Sequence, residues 1–234
     1  MTELIVADIT KRYKTKTALQ PFSLHAREGQ CIALCGGNGA GKSTILNILA
    51  NISSPSAGSV ILDDIDMLKQ NKEYVSMIGY MPDEFYAQGE MSVEEFLSFY
   101  AAIREVSKER VGAVMESLGL NEKRKELVKK LSKGMRQRLL LGQSILAEPR
   151  LLLMDEPTNG LDPYWINEFI AIIKHLKEAG TITIFSTHMM DVAAEIADQV
   201  QFIEQGQLAK TLKNDFSNIE EYTKELLLFY RQTS

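Results

Sequence analysis

The sequence predicts an α/β fold built around a parallel β-sheet. Short, entirely apolar runs such as Cys31–Cys35 and Leu151–Met154 are typical of strands that are buried on both faces of such a sheet. A glycine-rich loop joins the first run to a stretch with helical periodicity. Strands that alternate with helices in this way favour a parallel sheet with helices packed against it.

The remaining elements follow from the same two periodicities. Short apolar or β-branched runs predict further strands at residues 4–9, 22–26, 60–62, 75–80, 181–186, 200–203 and 207–210. Apolar residues at helical spacing predict helices at residues 44–50, 163–178, 190–197 and 217–231. Asp162 followed by Pro163 is a typical helix start, and Gln205-Gly206 is a hairpin signal between the last two strands.

The sequence changes character at residues 92–148, where strand patterns stop and helical periodicity and charge take over. We therefore predict an inserted α-helical subdomain at 84–148, within a single domain that covers residues 1–234. The rest of that domain is a core formed by residues 1–83 and 149–213, followed by a C-terminal helix at 214–234.

The composition indicates a folded protein and disfavours several classes. The chain has 234 residues, of which 45% are hydrophobic and 24% charged, as in typical globular domains. Its net charge of −5 disfavours a protein that binds nucleic acid through its bulk charge, and leaves open only a local basic patch. The two cysteines, Cys31 and Cys35, fit neither a disulfide framework nor a zinc site. No apolar run reaches the ~18 residues of a membrane span and no secretory signal is visible, so we expect a soluble, cytoplasmic protein.

The loop after the first buried strand has the G-x-x-x-x-G-K-[ST] pattern of a phosphate-binding loop. Its glycines let backbone N–H groups converge on phosphate oxygens, and the following helix adds the positive end of its dipole. The lysine places a charge on the β- and γ-phosphates, and the serine hydroxyl suits Mg²⁺. The loop consists of Gly36, Gly37, Asn38, Gly39, Ala40, Gly41, Lys42 and Ser43.

Two carboxylates, Asp155 and Glu156, follow the second buried strand. Beside a phosphate-binding loop, Asp155 is suited to hold Mg²⁺ through water, and Glu156 to polarise the attacking water as a general base. Taken alone, the pair is as typical of a strand end followed by a turn, with no catalytic role, as it is of a catalytic site.

Two further features lie at the ends of predicted elements. Ser132 and Gly134 stand at the start of a helix, where backbone N–H groups form a second anion site. His188 follows the strand at 181–186, at the edge where ligands of open α/β sheets bind. A purely structural histidine is the alternative.

With these motifs in this order, residues 3–213 resemble the ATP-binding subunit of ABC transporters. The resemblance implies a P-loop NTPase (RecA-like) core with a small antiparallel β subdomain and an inserted α-helical subdomain. The further nucleotide-binding residues that it implies are Tyr13, which stacks on adenine, Thr44 of the phosphate loop, Asp83 at the Q-loop position, Ser132, Gly134 and Met135 of the signature motif, and Asp162 of the D-loop.

The resemblance also implies a function and its components. ATP and Mg²⁺ are the implied ligands, with Ser43, Asp83 and Asp155 around the metal and Lys42, Glu156 and His188 in catalysis. ATP binding and hydrolysis would power a membrane transporter through ATP-driven dimerisation. The implied partners are separate transmembrane permease subunits and a second copy or a paralogous ATP-binding subunit, with no nucleic acid. The chain would lie peripherally on the cytoplasmic face of the cell membrane.

Several positions depart from the common family pattern. Gly37 replaces a frequent proline, Asp83 replaces glutamine, and Lys133 and Met135 replace the glycine and glutamine of the common signature. Asp83 is shorter than glutamine and charged, whereas Ser132 and Gly134 are retained for the phosphate contact. These variants are more similar to export-type or ABC-2-type subunits than to nutrient importers.

Two rival classes remain open at the sequence level. One is an ABC-type ATPase that acts as a non-transport mechanochemical switch, although the chain lacks the long heptad insertion of the DNA-repair members. The other is a P-loop GTPase, which needs an N-K-x-D motif that residues 71–74 do not complete.

An aromatic stripe in the predicted helical subdomain has two interpretations. Phe96, Phe99, Tyr100 and Ile103 share one helix face, which favours a core position over a groove for the membrane subunit. Phe85 and Tyr86 are better candidates for that contact, because aromatic residues are common interface anchors.

Overall fold

The computed structural model of the protein describes residues 2–83 and 89–233, so Phe85 and Tyr86 lie outside the described residues. The strands are β1 (Glu3–Tyr13), β2 (Lys16–Arg27), β3 (Cys31–Cys35), β4 (Ala57–Leu62), β5 (Ile65–Asp66), β6 (Ile78–Met81), β7 (Leu151–Met154), β8 (Ile182–Ser186), β9 (Gln199–Glu204) and β10 (Gln207–Lys213). The helices are α1 (Lys42–Leu49), α2 (Asn71–Ser76), α3 (Val93–Ile103), α4 (Lys108–Ser117), α5 (Lys133–Ile145), α6 (Pro163–Glu178), α7 (Met190–Ile196) and α8 (Ile219–Thr233).

The described strands form two sheets. The larger has the order β10-β9-β3-β8-β7-β6, with parallel pairing throughout except at the edge strand β10. The smaller is antiparallel, with the order β2-β1-β4-β5. The predicted α/β class with a parallel sheet and a small antiparallel sheet is therefore confirmed.

The central strand β3 divides the hydrophobic core into two parts, because its side chains alternate between the faces of the sheet. Cys31, Ala33 and Cys35 face an apolar cluster that includes buried residues of the helices α3 to α8. Ile32 and Leu34 face a second cluster, formed with α1 and the antiparallel sheet. Burial on both faces explains why this strand is apolar at every position.

The predicted helical insertion is present between β6 and β7, where α3, α4 and α5 follow one another with two short 3₁₀ turns. A serine caps each helix: the hydroxyls of Ser92, Ser107 and Ser132 accept from Glu95 N, Arg110 N and Met135 N, respectively. Each cap satisfies a backbone donor that the first helical turn leaves unpaired.

The prediction of a core position for the whole aromatic stripe of α3 is wrong. Phe96 is buried, but the side chains of Phe99 and Ile103 are 51% and 61% exposed. The buried face of α3 is instead formed by Val93, Phe96, Leu97 and Ala101, at spacings of three, four and eight residues along the helix.

The predicted strand at 75–80 begins too early, because Val75 and Ser76 end the helix α2. Tyr74 anchors this helix: its ring is buried and its hydroxyl donates to Leu49 O at 2.7 Å. Such a long-range contact overrides the strand propensity of Val75.

The C-terminal helix α8 packs on the core, as predicted. Tyr222 and Leu226 are buried, and the rings of Phe202 and Phe229 stack edge-on with centroids 4.6 Å apart. None of the helices described here is long and apolar enough to cross a membrane.

Candidate nucleotide-binding site

The glycine-rich loop leaves the carboxyl end of β3 and leads directly into α1, which begins at Lys42. Gly41 precedes that helix with φ of +115°, a conformation that side-chain-bearing residues rarely adopt. A Cβ atom there would lie 3.3 Å from both Ala18 O and Gly206 Cα. The loop therefore needs glycine at this position, both for its backbone angle and for the space.

The amine of Lys42 is folded over the loop. Lys42 Nζ donates to Gly36 O at 2.7 Å and to Gly37 O at 3.2 Å, and the side chain is only 8% exposed. A buried ammonium group held by backbone carbonyls is a strong local positive charge in a site of low dielectric constant.

A cavity of about 630 Å³ opens beside this loop and gathers most of the predicted nucleotide-binding residues. Its predicted members are Tyr13, Asn38, Gly39, Ala40, Gly41, Lys42, Ser43, Thr44, Asp83, Asp155 and Glu156. Lys16 and Gln205 also line the cavity, and sequence reasoning missed them. Gln205 was recognised only as a turn residue, because a turn signal does not indicate where its side chain points.

The carboxylates at the end of β7 are oriented by a neighbouring strand. The hydroxyl of Ser186, the last residue of β8, donates to Asp155 Oδ1 at 2.6 Å and accepts from Glu156 N at 2.9 Å. Asp155 is buried, at 6% exposure. Ser186 was also missed, although a polar residue that ends an otherwise apolar buried strand is a signal that could have indicated it.

His188 contacts Glu156. His188 Nδ1 lies 2.9 Å from Glu156 Oε2, and the two side chains are 53% and 14% exposed. Glu156 has φ of +48°, which is uncommon for a residue with a side chain. Backbone conformations of this kind are concentrated at functional sites.

Asp83 lies at the same edge, because β6 and β7 are adjacent parallel strands. Its Oδ1 accepts from Asn159 Nδ2 at 2.8 Å. The nearby Tyr80 hydroxyl donates to Asn47 Oδ1 at 3.1 Å, and burial, followed by the charges of Asp155 and Asp83, raises the pKa of Tyr80 to about 12. This edge of the cavity is therefore electronegative, in the same cavity that Lys42 lines with a positive charge.

The residues predicted for the signature motif and the D-loop lie elsewhere. Among the residues that line the cavity in the described part of the chain, Ser132, Gly134, Met135 and Asp162 are absent. Ser132 caps α5, and a Cβ atom on Gly134 would lie 2.7 Å from Gly160 O. Asp162 caps α6, accepting from Trp165 N at 3.0 Å. The start of α5 and the turn before α6 thus pack against each other.

A strand, a phosphate-type glycine loop and a helix, with carboxylates that follow the strands β6 and β7 of the same sheet, define the class of the protein as a P-loop nucleotide-binding protein. The family model described as ABC transporter matches residues 19–159. The chain belongs to this family.

Similar proteins carry the same assignment. The uncharacterized ABC transporter ATP-binding protein YxlF of Bacillus subtilis is 35% identical over 88% of this chain and 69% of its own length. The bacitracin transport ATP-binding protein BcrA of Bacillus licheniformis is 32% identical over 97% of this chain and 74% of its own length. The lantibiotic transport ATP-binding protein SrtF of Streptococcus pyogenes is 32% identical over 98% of this chain and 99% of its own length.

Solved structures share the fold. An ATP-binding subunit of an ABC transporter superposes with a TM-score of 0.85 at 24% identity, over 96% of this chain and 99% of its own. A dimeric ATP-binding cassette bound to ADP and Pi gives a TM-score of 0.83 at 24% identity, over 90% of this chain and 98% of its own. The P-loop NTPase core with its antiparallel and helical subdomains is thus confirmed. The chain is an ATP-binding, ATP-hydrolysing subunit of the ABC transporter family.

Proposed function

We propose that this chain works as one half of a head-to-tail pair with a second copy or a paralogous subunit, in which two ATP molecules are sandwiched. One observation carries this proposal. Ser132 and Gly134 offer an anion site at the start of α5, yet they stand apart from the cavity that holds Lys42. A nucleotide that contacts both sets of residues therefore needs two chains. ATP then joins the two surfaces, and hydrolysis releases them.

Within each chain, the cavity offers the groups that an adenine nucleotide needs. Tyr13 presents a half-exposed ring for the base, the loop at 36–44 presents backbone N–H groups for the phosphates, and Lys42 adds their counter-charge.

The donor set at the electronegative edge fits Mg²⁺. Ser43, Asp83 and Asp155 supply hard oxygen donors around one cavity, and the described residues contain no larger cluster of His, Cys, Asp or Glu. Few protein ligands are typical of Mg²⁺, which keeps water and phosphate oxygens in its shell. When bound, the ion would neutralise charge on the β- and γ-phosphates. The Ser186 hydroxyl fixes the orientation of Asp155 for this role.

Glu156 is placed to take a proton from the attacking water, and His188 to hold Glu156 and contact the γ-phosphate. The backbone of Glu156 is held by Ser186, and its carboxylate by His188. The side chain is mostly buried, which restricts its motion. A held carboxylate beside the phosphates is suited to act as a general base.

The membrane partner is a separate permease at the cytoplasmic face, and the exposed apolar side chains of Phe99 and Ile103 on α3 are suited to contact it. BcrA and SrtF are named for bacitracin and lantibiotic transport. We therefore assign this chain to the export or ABC-2 type, with the substrate selected by the permease.

A mixing experiment tests the shared site. Lys42→Ala removes the phosphate charge of a chain's own cavity, whereas Ser132→Arg blocks the surface that it offers to its partner. Each variant alone should hydrolyse no ATP. Mixed together, they form a pair with one intact site, so a fraction of wild-type hydrolysis should return.

The matched control is a mixture of Lys42→Ala with Glu156→Gln, because both residues belong to one chain's cavity and no pairing restores an intact site. Hydrolysis that stays absent in the Lys42→Ala and Ser132→Arg mixture would contradict a site shared between two copies of this chain.

A further inference from the structure

Asp83 and Asn159 come from turns that follow neighbouring strands. Met81 at the end of β6 is in register with Met154 at the end of β7, and Asp155 N donates to Met81 O at 2.8 Å. Beyond these strand ends, Asn159 Nδ2 donates to Asp83 Oδ1 at 2.8 Å. A short bond from an amide to a carboxylate is of the stronger, charge-assisted kind.

Asn159 is itself firmly held. Its backbone N–H donates to Glu156 O at 3.1 Å, and the preceding Thr158 is buried, with its hydroxyl 3.3 Å from Met189 Sδ. The following Gly160 contacts Gly134 at the start of α5. The Asn159 amide therefore projects from a fixed turn that follows Glu156 and contacts the start of α5.

Asp83, in contrast, is an exposed residue that lines the cavity together with Asp155 and Glu156. Three carboxylates around one cavity repel one another, and an exposed aspartate is free to rotate away unless a partner holds it. At this position the family commonly has the longer glutamine, so the shorter aspartate needs support from a second side chain to face the nucleotide.

We propose that Asn159 is a positioning residue that holds the Asp83 carboxylate toward Mg²⁺-ATP. This inference rests on the proposed nucleotide site. Asn159 acts through Asp83. Its replacement should therefore reduce the gain in ATP affinity that Mg²⁺ provides, and leave the affinity for ATP without Mg²⁺ unchanged.

Calorimetric titration of the full chain with ATP tests the proposal, once with excess Mg²⁺ and once with EDTA. The measured quantity is the ATP affinity with Mg²⁺ divided by the ATP affinity with EDTA. Asn159→Ala should lower this ratio on the order of fivefold, the effect of one hydrogen bond to an exposed charged group. Asn159→Leu, which keeps a similar volume and removes the donor without adding charge, should lower the ratio by a similar factor. Asn121→Ala, which removes an exposed amide on the helical insertion, should leave it unchanged.

The decisive comparison is made in an Asp83→Ala background, where Asn159→Ala should have no further effect on the ratio. An equal effect with and without Asp83, or no effect in the wild-type background, would overturn the proposal. If the wild-type chain failed to bind ATP at all, the proposed nucleotide site would fail instead. Lys42→Ala provides that reference, because it should weaken binding under both conditions.

Discussion

His188 Nδ1 and Glu156 Oε2 lie 2.9 Å apart, so the histidine after β8 holds the carboxylate after β7. The contact follows from topology, because β7 and β8 are adjacent parallel strands whose carboxyl ends meet at one edge. Ser186 bonds both Asp155 and Glu156 at the same edge. The two carboxylates that follow β7 are thus oriented by residues that end or follow the neighbouring strand β8.

Replacing His188 should impair turnover more than binding. In His188→Ala, Glu156 loses the partner that orients it, so the rate of ATP hydrolysis should fall about a hundredfold, as for a misplaced general base. ATP affinity should fall much less, because the phosphate loop is intact and only the contact of His188 with the γ-phosphate is lost. Single-turnover hydrolysis and calorimetric binding separate the two effects. His175→Ala, which changes an exposed histidine on α6, is the matched control. A large loss of affinity with normal turnover would show that His188 serves binding alone.

Gly119 should be intolerant of any side chain. It has φ of +59°, and a Cβ atom there would lie 2.7 Å from two atoms of the Trp165 ring. The guanidinium of Arg138 lies 3.8 Å from the centre of the same ring and restricts its movement. Gly119→Ala should therefore lower the free energy of unfolding by roughly 2–4 kcal/mol.

Urea denaturation measures this loss, with the fluorescence of Trp165, the only tryptophan, as the probe. Gly112→Ala is the control, because a Cβ atom at this position in the middle of α4 would have no neighbouring atom within 4 Å. That change should stabilise the protein by about 0.5–1 kcal/mol, since alanine is the better helix former. Equal effects of the two changes would contradict the packing of Gly119 on Trp165.

Both cysteines should be unreactive in the folded protein. Burial raises the pKa values of Cys31 and Cys35, in each case more than the nearby lysine lowers them. The unfolded thiols ionise near their ordinary pKa of about 8.5, so above this pH unfolding releases protons and stability falls. Each thiol should contribute up to about 1.4 kcal/mol of this loss per pH unit.

A thiol reagent at pH 8 should therefore label no cysteine in the native chain and both in denaturant. Above pH 9, the stability of Cys35→Ala should fall less steeply than that of the wild type. Rapid labelling of the native protein would contradict the buried position of these residues.

The parallel sheet and the phosphate loop could be predicted because local chemistry dictates them. Cys31–Cys35 is apolar at each position, as a strand buried on both faces requires. The glycines and Lys42 that follow form a local pattern that is specific for a phosphate-binding loop. The residues that sequence reasoning missed depend on tertiary contacts. Ser186 is one strand away from the carboxylates that it orients, and Asn159 meets Asp83 across 76 positions of sequence. No periodicity encodes such pairs.

The exposed part of the α3 stripe was mispredicted for a related reason. Helical spacing defines a face, but which of two overlapping faces is buried depends on the packing of α4 and α5. Phe96 lies on both faces, whereas Phe99 and Ile103 lie only on the exposed one. The division of the chain at residues 84 and 148, and the roles of the site residues, stay predictions.

The molar mass of Glu156→Gln in solution tests directly whether two chains share the ATP site. It is measured by size-exclusion chromatography with light scattering, with and without ATP. The amide cannot act as a base, so ATP should remain bound and uncleaved. We expect a monomer without nucleotide and a dimer with ATP, and a return to monomer when Ser132→Arg is added. A monomer under all conditions, or a dimer that Ser132→Arg leaves intact, would contradict an ATP site shared between two copies of this chain.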